Sequence, residues 1–270
     1  MLYVELSKYR LHYQQYGSGP ALIFLHGLSF DSRMWELQFE AFRNEYMTIG
    51  LDFRGHGFSD APDIEYSMKT YVSDISALMN SLHLTSAVLV GLSLGGAVAL
   101  EFALRYPQRV KALVLASSAM NGHNWSSAWK EVMRKVQEAE TYQNLRGNLR
   151  QYWLRDPMFE GIRHKLEYSQ LLQSMAASFS GKPIMLSGME SNGNAYDRKD
   201  VSAIRSPVCV ISGEKDRIDF KKIARTLATK IHRAEWHQLQ GVGHMVNLEA
   251  PSEFNNILQS FLYRVDAEGI

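Results

Sequence analysis

Apolar residues along this chain fall into two kinds of pattern. One is short and unbroken, as in Ala21-Leu22-Ile23-Phe24-Leu25, Thr48-Ile49-Gly50-Leu51, Ala87-Val88-Leu89-Val90, Ala112-Leu113-Val114-Leu115-Ala116 and Val208-Cys209-Val210-Ile211. Runs of this length without polar alternation suit strands covered on both faces. Ala234-Glu235-Trp236-His237-Gln238-Leu239 reads as a further strand. At the amino end, Leu2 to Tyr16 followed by Gly17-Ser18-Gly19-Pro20 reads as a strand pair and a turn into the strand at 21–25. The other pattern repeats every three to four residues. Phe254, Ile257, Leu258, Phe261, Leu262 and Val265 keep that period after Pro251, which suits a first helical turn. Strands alternating with helical stretches predict an α/β fold, a parallel sheet with helices on both faces.

The alternation lapses once. Between Ser117 and Val208 lie about ninety residues with no strong strand signal, too many for plain loop. Trp129, Val132, Met133 and Val136 recur at helical spacing there, as do Tyr168, Leu171, Leu172, Met175 and Phe179. The expected organisation is a core of residues 1–120 and 186–270 interrupted by a helical lid over 121–185, with a sheet-covering helix after it. The lid is rich in rings: Trp125, Trp129, Tyr142, Tyr152, Trp153 and Phe159. Most would pack it onto the core, and some would line an apolar pocket.

Chemistry concentrates where strands end. Gly91-Leu92-Ser93-Leu94-Gly95 stands between the run at 87–90 and a helix opening Gly96-Ala97-Val98-Ala99. A serine on so sharp a strand-to-helix turn is lifted above the sheet edge, and glycines on both sides let the backbone pass. Serine needs an imidazole to take its proton and a carboxylate to orient that imidazole. Asp216 follows the strand at 208–211 and His244 follows the strand at 234–239, so both reach the edge that carries Ser93. Asp219 is an alternative acid. The backbone N–H groups of Leu28, in the loop His26-Gly27-Leu28-Ser29, and of Leu94 are the candidate oxyanion donors. His26 and His56 sit in glycine-flanked loops and are read as braces; His123, Trp129 and Trp153 are candidate substrate contacts.

The His26-Gly27 turn, Asp52-Phe53-Arg54-Gly55-His56-Gly57-Phe58-Ser59, Gly91-Leu92-Ser93-Leu94-Gly95-Gly96, Gly213-Glu214-Lys215-Asp216 and Gly243-His244 together resemble the α/β-hydrolase superfamily over nearly the whole chain. Within it they look like the esterase, 3-oxoadipate enol-lactonase and carbon–carbon hydrolase branch. The resemblance implies a mostly parallel eight-stranded sheet and an inserted helical lid. It argues against epoxide hydrolases and haloalkane dehalogenases, which carry aspartate where Ser93 stands. One departure is Arg217-Ile218-Asp219-Phe220 after the acid, where relatives often have proline.

Composition narrows the rest. With 46% hydrophobic and 21% charged residues and a formal net charge of +1, nothing marks a nucleic-acid surface. No secretory signal or membrane-length apolar stretch is apparent, and the single cysteine, Cys209, reads as a small buried hydrophobe, so the expected compartment is the cytoplasm. No metal-ligand spacing or phosphate loop appears, and no cofactor is expected. The expected activity is a serine hydrolase acting on a small or medium carboxylic ester through an acyl-enzyme. An enol-lactonase, a thioesterase, an acyltransferase or a ligand-sensing protein with little turnover would use the same residues. A carbon–carbon bond hydrolase would need a polar lid group, for which Arg146, Arg150, Arg155 and Arg163 are candidates. Monomer and homodimer both stay open.

Overall fold

The unbroken apolar runs become the middle of one sheet. In the computed structural model, which describes residues 1–186 and 200–269, the strands are β1 (Leu2–Glu5), β2 (Arg10–Tyr16), β3 (Ala21–Leu25), β4 (Met47–Leu51), β5 (Ala87–Leu92), β6 (Val110–Ala116), β7 (Val208–Gly213) and β8 (Ala234–Leu239). They form one 8-stranded sheet in the order β1-β2-β4-β3-β5-β6-β7-β8. β1 and β2 pair antiparallel, β2 joins β4 antiparallel, and the pairs from β4 through β8 are parallel. Every residue of β3, β5 and β7 is buried, which is why these runs show no polar alternation. The edge strand β8 alternates instead, because one side of it meets solvent.

The helices are α1 (Glu36–Phe42), α2 (Met68–Ser81), α3 (Leu94–Arg105), α4 (Ser127–Gln137), α5 (Tyr142–Asn148), α6 (Glu160–Arg163), α7 (Leu166–Ser178), α8 (Lys182–Met185), α9 (Ile218–Lys230), α10 (Val246–Glu249) and α11 (Pro251–Ala267). α3 packs on β3, β5 and β6 with α2 beside it, α9 covers β7 and β8, and α1 and α11 pack together over β4, β6 and β7. α11 buries Phe254, Leu258, Phe261, Leu262 and Val265, the stripe its sequence period predicts.

Between β6 and β7 the chain leaves the sheet. The stretch 121–185 holds α4 to α8 and a π-helical turn, Leu149–Trp153. α4 buries Trp129 and Val136, and α7 buries Leu172 and Met175. A sheet-covering helix is expected after 185, where residues 187–199 lie outside the described residues, as does the side chain of Tyr142. Among the described residues no helix is long and apolar enough to cross a membrane.

β3 sits between β4 and β5, so the chain reverses its winding direction there. Loops that leave a sheet at such a reversal open a crevice. Leu25 of β3 pairs in register with Gly91 of β5, which sets the loop after β3 beside Ser93.

Candidate active site

Ser93 has φ 54 and ψ −113, a left-handed conformation rare for a residue with a side chain. Such a residue costs on the order of 1–3 kcal/mol and persists only where its surroundings hold it. Its N–H donates to Ala116 O (3.0 Å), and its carbonyl accepts from Ala97 (3.1 Å) and Ala119 (3.0 Å). Gly95 completes the turn: a Cβ there would stand 2.1 Å from Leu25 O, so only glycine lets α3 approach β3 this closely. On the other side, a Cβ on Gly27 would lie 3.6 Å from Ser93 Cβ. The loop after β3 and the elbow are therefore close neighbours. Neither the Leu28 nor the Leu94 N–H donates a hydrogen bond among the described residues.

Two strands along the sheet, the loop after β7 presents Asp216 to His244. The His244 Nδ1 lies 3.0 Å from Asp216 Oδ2 and 3.1 Å from Oδ1, with both residues buried. A carboxylate accepts, so Nδ1 donates and Nε2 keeps the free lone pair. Phe220 of α9 lies against the imidazole at 4.3 Å between centroids, and Phe159 meets it edge-on at 6.1 Å. The Ser93 hydroxyl makes no hydrogen bond to His244 among the described residues, and catalytic hydrogen bonds often tighten only around a bound substrate. Ser93 is 8% exposed and His244 2%.

The alternative acid has other partners. Asp219, in the first turn of α9, accepts from the Ser126 amide (2.7 Å) and hydroxyl (2.6 Å) and lies 3.4 Å from His123 Nε2. Burial raises its carboxyl, but those hydrogen bonds hold it net below the ordinary aspartate value. His123 accordingly turns its Nε2 to Asp219. Trp129 and Trp153 belong to a ring cluster that ends on His244: Trp129 stacks on Trp125 (4.8 Å) and meets Phe220 (5.2 Å), while Trp153 meets Phe159 (5.7 Å). The Trp153 indole N–H is buried without a hydrogen-bond partner among the described residues.

The glycine-flanked histidines are tied to backbone. His26 Nδ1 donates to Gly27 O (2.8 Å) while Nε2 accepts from the Phe53 N–H (3.0 Å), fixing a neutral tautomer; burial pushes its pKa down. His56 Nδ1 lies 3.1 Å from Arg54 O, and burial beside His26 pushes it further down. Of the four candidate arginines in the stretch 121–185, Arg163 donates to the Leu154 and Asp156 carbonyls, whereas Arg146, Arg150 and Arg155 are exposed. Cys209, Glu235 and His237 bring one ligand-type atom each within 4.8 Å of one another. That cluster starts at the opposite end of β7 from Asp216, and its Glu235 is paired with Arg264. Burial, with Glu235 beside it, pushes the Cys209 thiol well up.

A family model described as alpha/beta hydrolase fold matches residues 20–251. The chain belongs to the α/β-hydrolase fold family. This α/β-hydrolase is 29% identical over 255 residues to AB hydrolase superfamily protein YisY of Bacillus subtilis (strain 168), across 93% of this chain and 94% of that one. It is 27% identical over 259 residues to 3-oxoadipate enol-lactonase 2 of Acinetobacter baylyi, across 94% and 93%. A solved structure described as Est816, an N-acyl homoserine lactone degrading enzyme, matches with a TM-score of 0.76 and 30% identity, covering 96% of this chain and 100% of that one.

Sequence reading misses two groups at this site. Arg217, the departure after the acid, donates its Nε to Asp156 Oδ1 of the lid stretch (2.8 Å), and its guanidinium lies 5.8 Å from the Trp129 ring centroid. Glu249, at the end of α10, reaches back to the loop of His244. A charged residue where relatives often have proline was the visible signal for Arg217; Glu249 gave none.

Proposed function

We propose that the chain is a serine hydrolase that cleaves a small or medium carboxylic ester through an acyl-enzyme. The observation that carries this reading is the buried Asp216–His244 hydrogen bond, which leaves His244 Nε2 as a free base on the sheet edge where Ser93 is held in a strained elbow. Ser93 Oγ attacks the ester carbonyl carbon as Nε2 takes its proton. The carbonyl electron pair moves onto oxygen, where the Leu28 and Leu94 N–H groups receive it. Their unclaimed state supports this role, and one such donor is worth about 3 kcal/mol of barrier. Collapse expels the alcohol, which leaves with the proton from His244. Water then attacks the acyl-enzyme, gives its proton to Nε2, and the acid departs as Ser93 recovers its hydrogen.

Residues 121–185 act in this reading as a lid. The low exposure of Ser93 and His244 supports it, since substrate reaches them only after the helical cover shifts. Trp129 and Trp153 would then face an apolar acyl or alcohol group. The exposed or backbone-tied lid arginines speak for an uncharged ester over a carbon–carbon hydrolase substrate carrying a carboxylate. A lactone is a second reading, favoured by relatives whose names specify lactone cleavage. It is an internal ester opened by the same steps.

Purified protein should hydrolyse p-nitrophenyl acetate or butyrate, and Ser93→Ala should lower kcat by at least about a thousandfold. A fluorophosphonate should label Ser93, located by mass spectrometry. Unchanged turnover in Ser93→Ala, or a label elsewhere, would overturn the reading.

A further inference from the structure

Three consecutive amides around the imidazole are received by groups from outside their own loop. The His244 N–H donates to Met158 O of the lid stretch (3.0 Å). The residues on either side of it share one side chain. Glu249 Oε2 accepts from the Gly243 N–H at 2.8 Å, and Oε1 accepts from the Met245 N–H at 3.1 Å. A carboxylate is suited to this, because each oxygen takes one amide and no proton intrudes. Space is kept for it: a Cβ on Gly161 of α6 would stand 1.9 Å from Glu249 Oε2, and one on Gly243 would stand 2.9 Å from Oε1 and from Met158 O. Lys165 anchors the same residue from the lid side through Glu249 O (2.8 Å).

We infer that Glu249 is a positioning residue for His244, clamping the loop on both sides of the imidazole and adding a second negative charge beside the imidazolium that forms in turnover. This rests on the proposed serine-hydrolase mechanism. Desolvation raises the Glu249 carboxyl above the ordinary glutamate value; the Gly243 and Met245 amides and His244 pull it back, and Asp216 adds to the rise. Other charges stand around the ring. Asp216 faces Nδ1, while Arg217 and Asp219 stand at the start of α9, whose Phe220 lies on the imidazole. Arg217 is paired with Asp156, and Asp219 with Ser126 and His123. A change confined to Glu249 leaves all of these in place.

The test compares Glu249→Gln and Glu249→Asp with the parent protein, using p-nitrophenyl butyrate hydrolysis across pH, melting temperature, and the His244 imidazole proton resonances in an NMR pH titration. Gln removes the charge and turns an amide N–H₂ toward one of the two amides. Its kcat should fall by about tenfold or more, with KM within about threefold, since a small misplacement of a catalytic group costs up to roughly a hundredfold. The acidic limb of kcat/KM and the His244 titration should both move to lower pH. Asp keeps the charge but is one methylene too short to span both amides. Its kcat should fall while the acidic limb stays near the parent position.

An acidic limb and a His244 titration unmoved in Glu249→Gln, with activity falling only as far as melting temperature does, would make Glu249 a staple of the loop and overturn the inference. Unchanged kcat in both variants would overturn it too. If the parent protein cleaves no ester, the hydrolase reading fails by itself, and the NMR titration still decides whether Glu249 acts on His244.

Discussion

The elbow of Ser93 and the helical stretch 121–185 are held by opposite means. Around Ser93 the supports are backbone and apolar: β3 and β5 are buried throughout, the serine's own peptide groups are bonded to Ala116, Ala97 and Ala119, and Gly95 lets α3 touch Leu25. The helical stretch has its own buried rings, but much of its hold on the core is a set of side-chain pins. Arg217 grips Asp156, Asp219 caps α4 through Ser126, Arg33 donates to Ser174 (3.0 Å) and Ser178 (3.1 Å) of α7, and Lys182 donates to Ala61 O (2.6 Å). Backbone pairing inside a dry core opens only with global unfolding, whereas a few polar pins can exchange for water at modest cost. Ser93 is thus fixed by the core, whereas the stretch 121–185 is held in part by contacts that water can replace.

The contrast is sharpest between the two neighbouring carboxylates. Asp216→Asn leaves an amide opposite His244 and favours the wrong tautomer, so kcat should fall by about ten-thousandfold. Asp219→Asn loosens only the cap of α4, and kcat should stay within about fivefold while the helical stretch loses about 1 kcal/mol of local stability, read by hydrogen exchange. Equal losses in both variants would break the comparison. Next in size, Gly95→Val forces a side chain into Leu25 O and should destabilise the fold by about 3 kcal/mol or more in denaturant titration. Arg217→Ala strands the buried Asp156 carboxylate and should cost about 2–3 kcal/mol, with faster exchange at 127–178 and no change at β5. The smallest effect is acidification. The folded Asp219 value lies below the unfolded one, so its contribution is complete above pH about 4 and is lost as pH falls through the folded value. Trp125 and Trp129 fluorescence should change there before the far-ultraviolet signal of the sheet does.

The same division explains what could be read in advance. Buried parallel strands write themselves as unbroken apolar runs, so β3 to β7 were visible, and a strand-to-helix glycine turn marked Ser93. The residue order after β7 and β8 pointed to Asp216 and His244. What escaped depends on closure in space. Arg217 and Asp156 are 61 positions apart and meet only once the excursion folds back. Glu249 lies in a helix of 4 residues, too short to leave a period, and its role arises from reaching backward. His123, read as a substrate contact from its place after a strand, lies 3.4 Å from Asp219, a contact across 96 positions that no local pattern shows.

The burial of Cys209 has a practical corollary. As the sole thiol of the chain, sealed in the second position of β7 and kept protonated by its surroundings, it is unreactive until the strand separates from its neighbours. A maleimide added to the untouched protein therefore works as an internal clock for rupture of the sheet, insensitive to breathing of the helices above it.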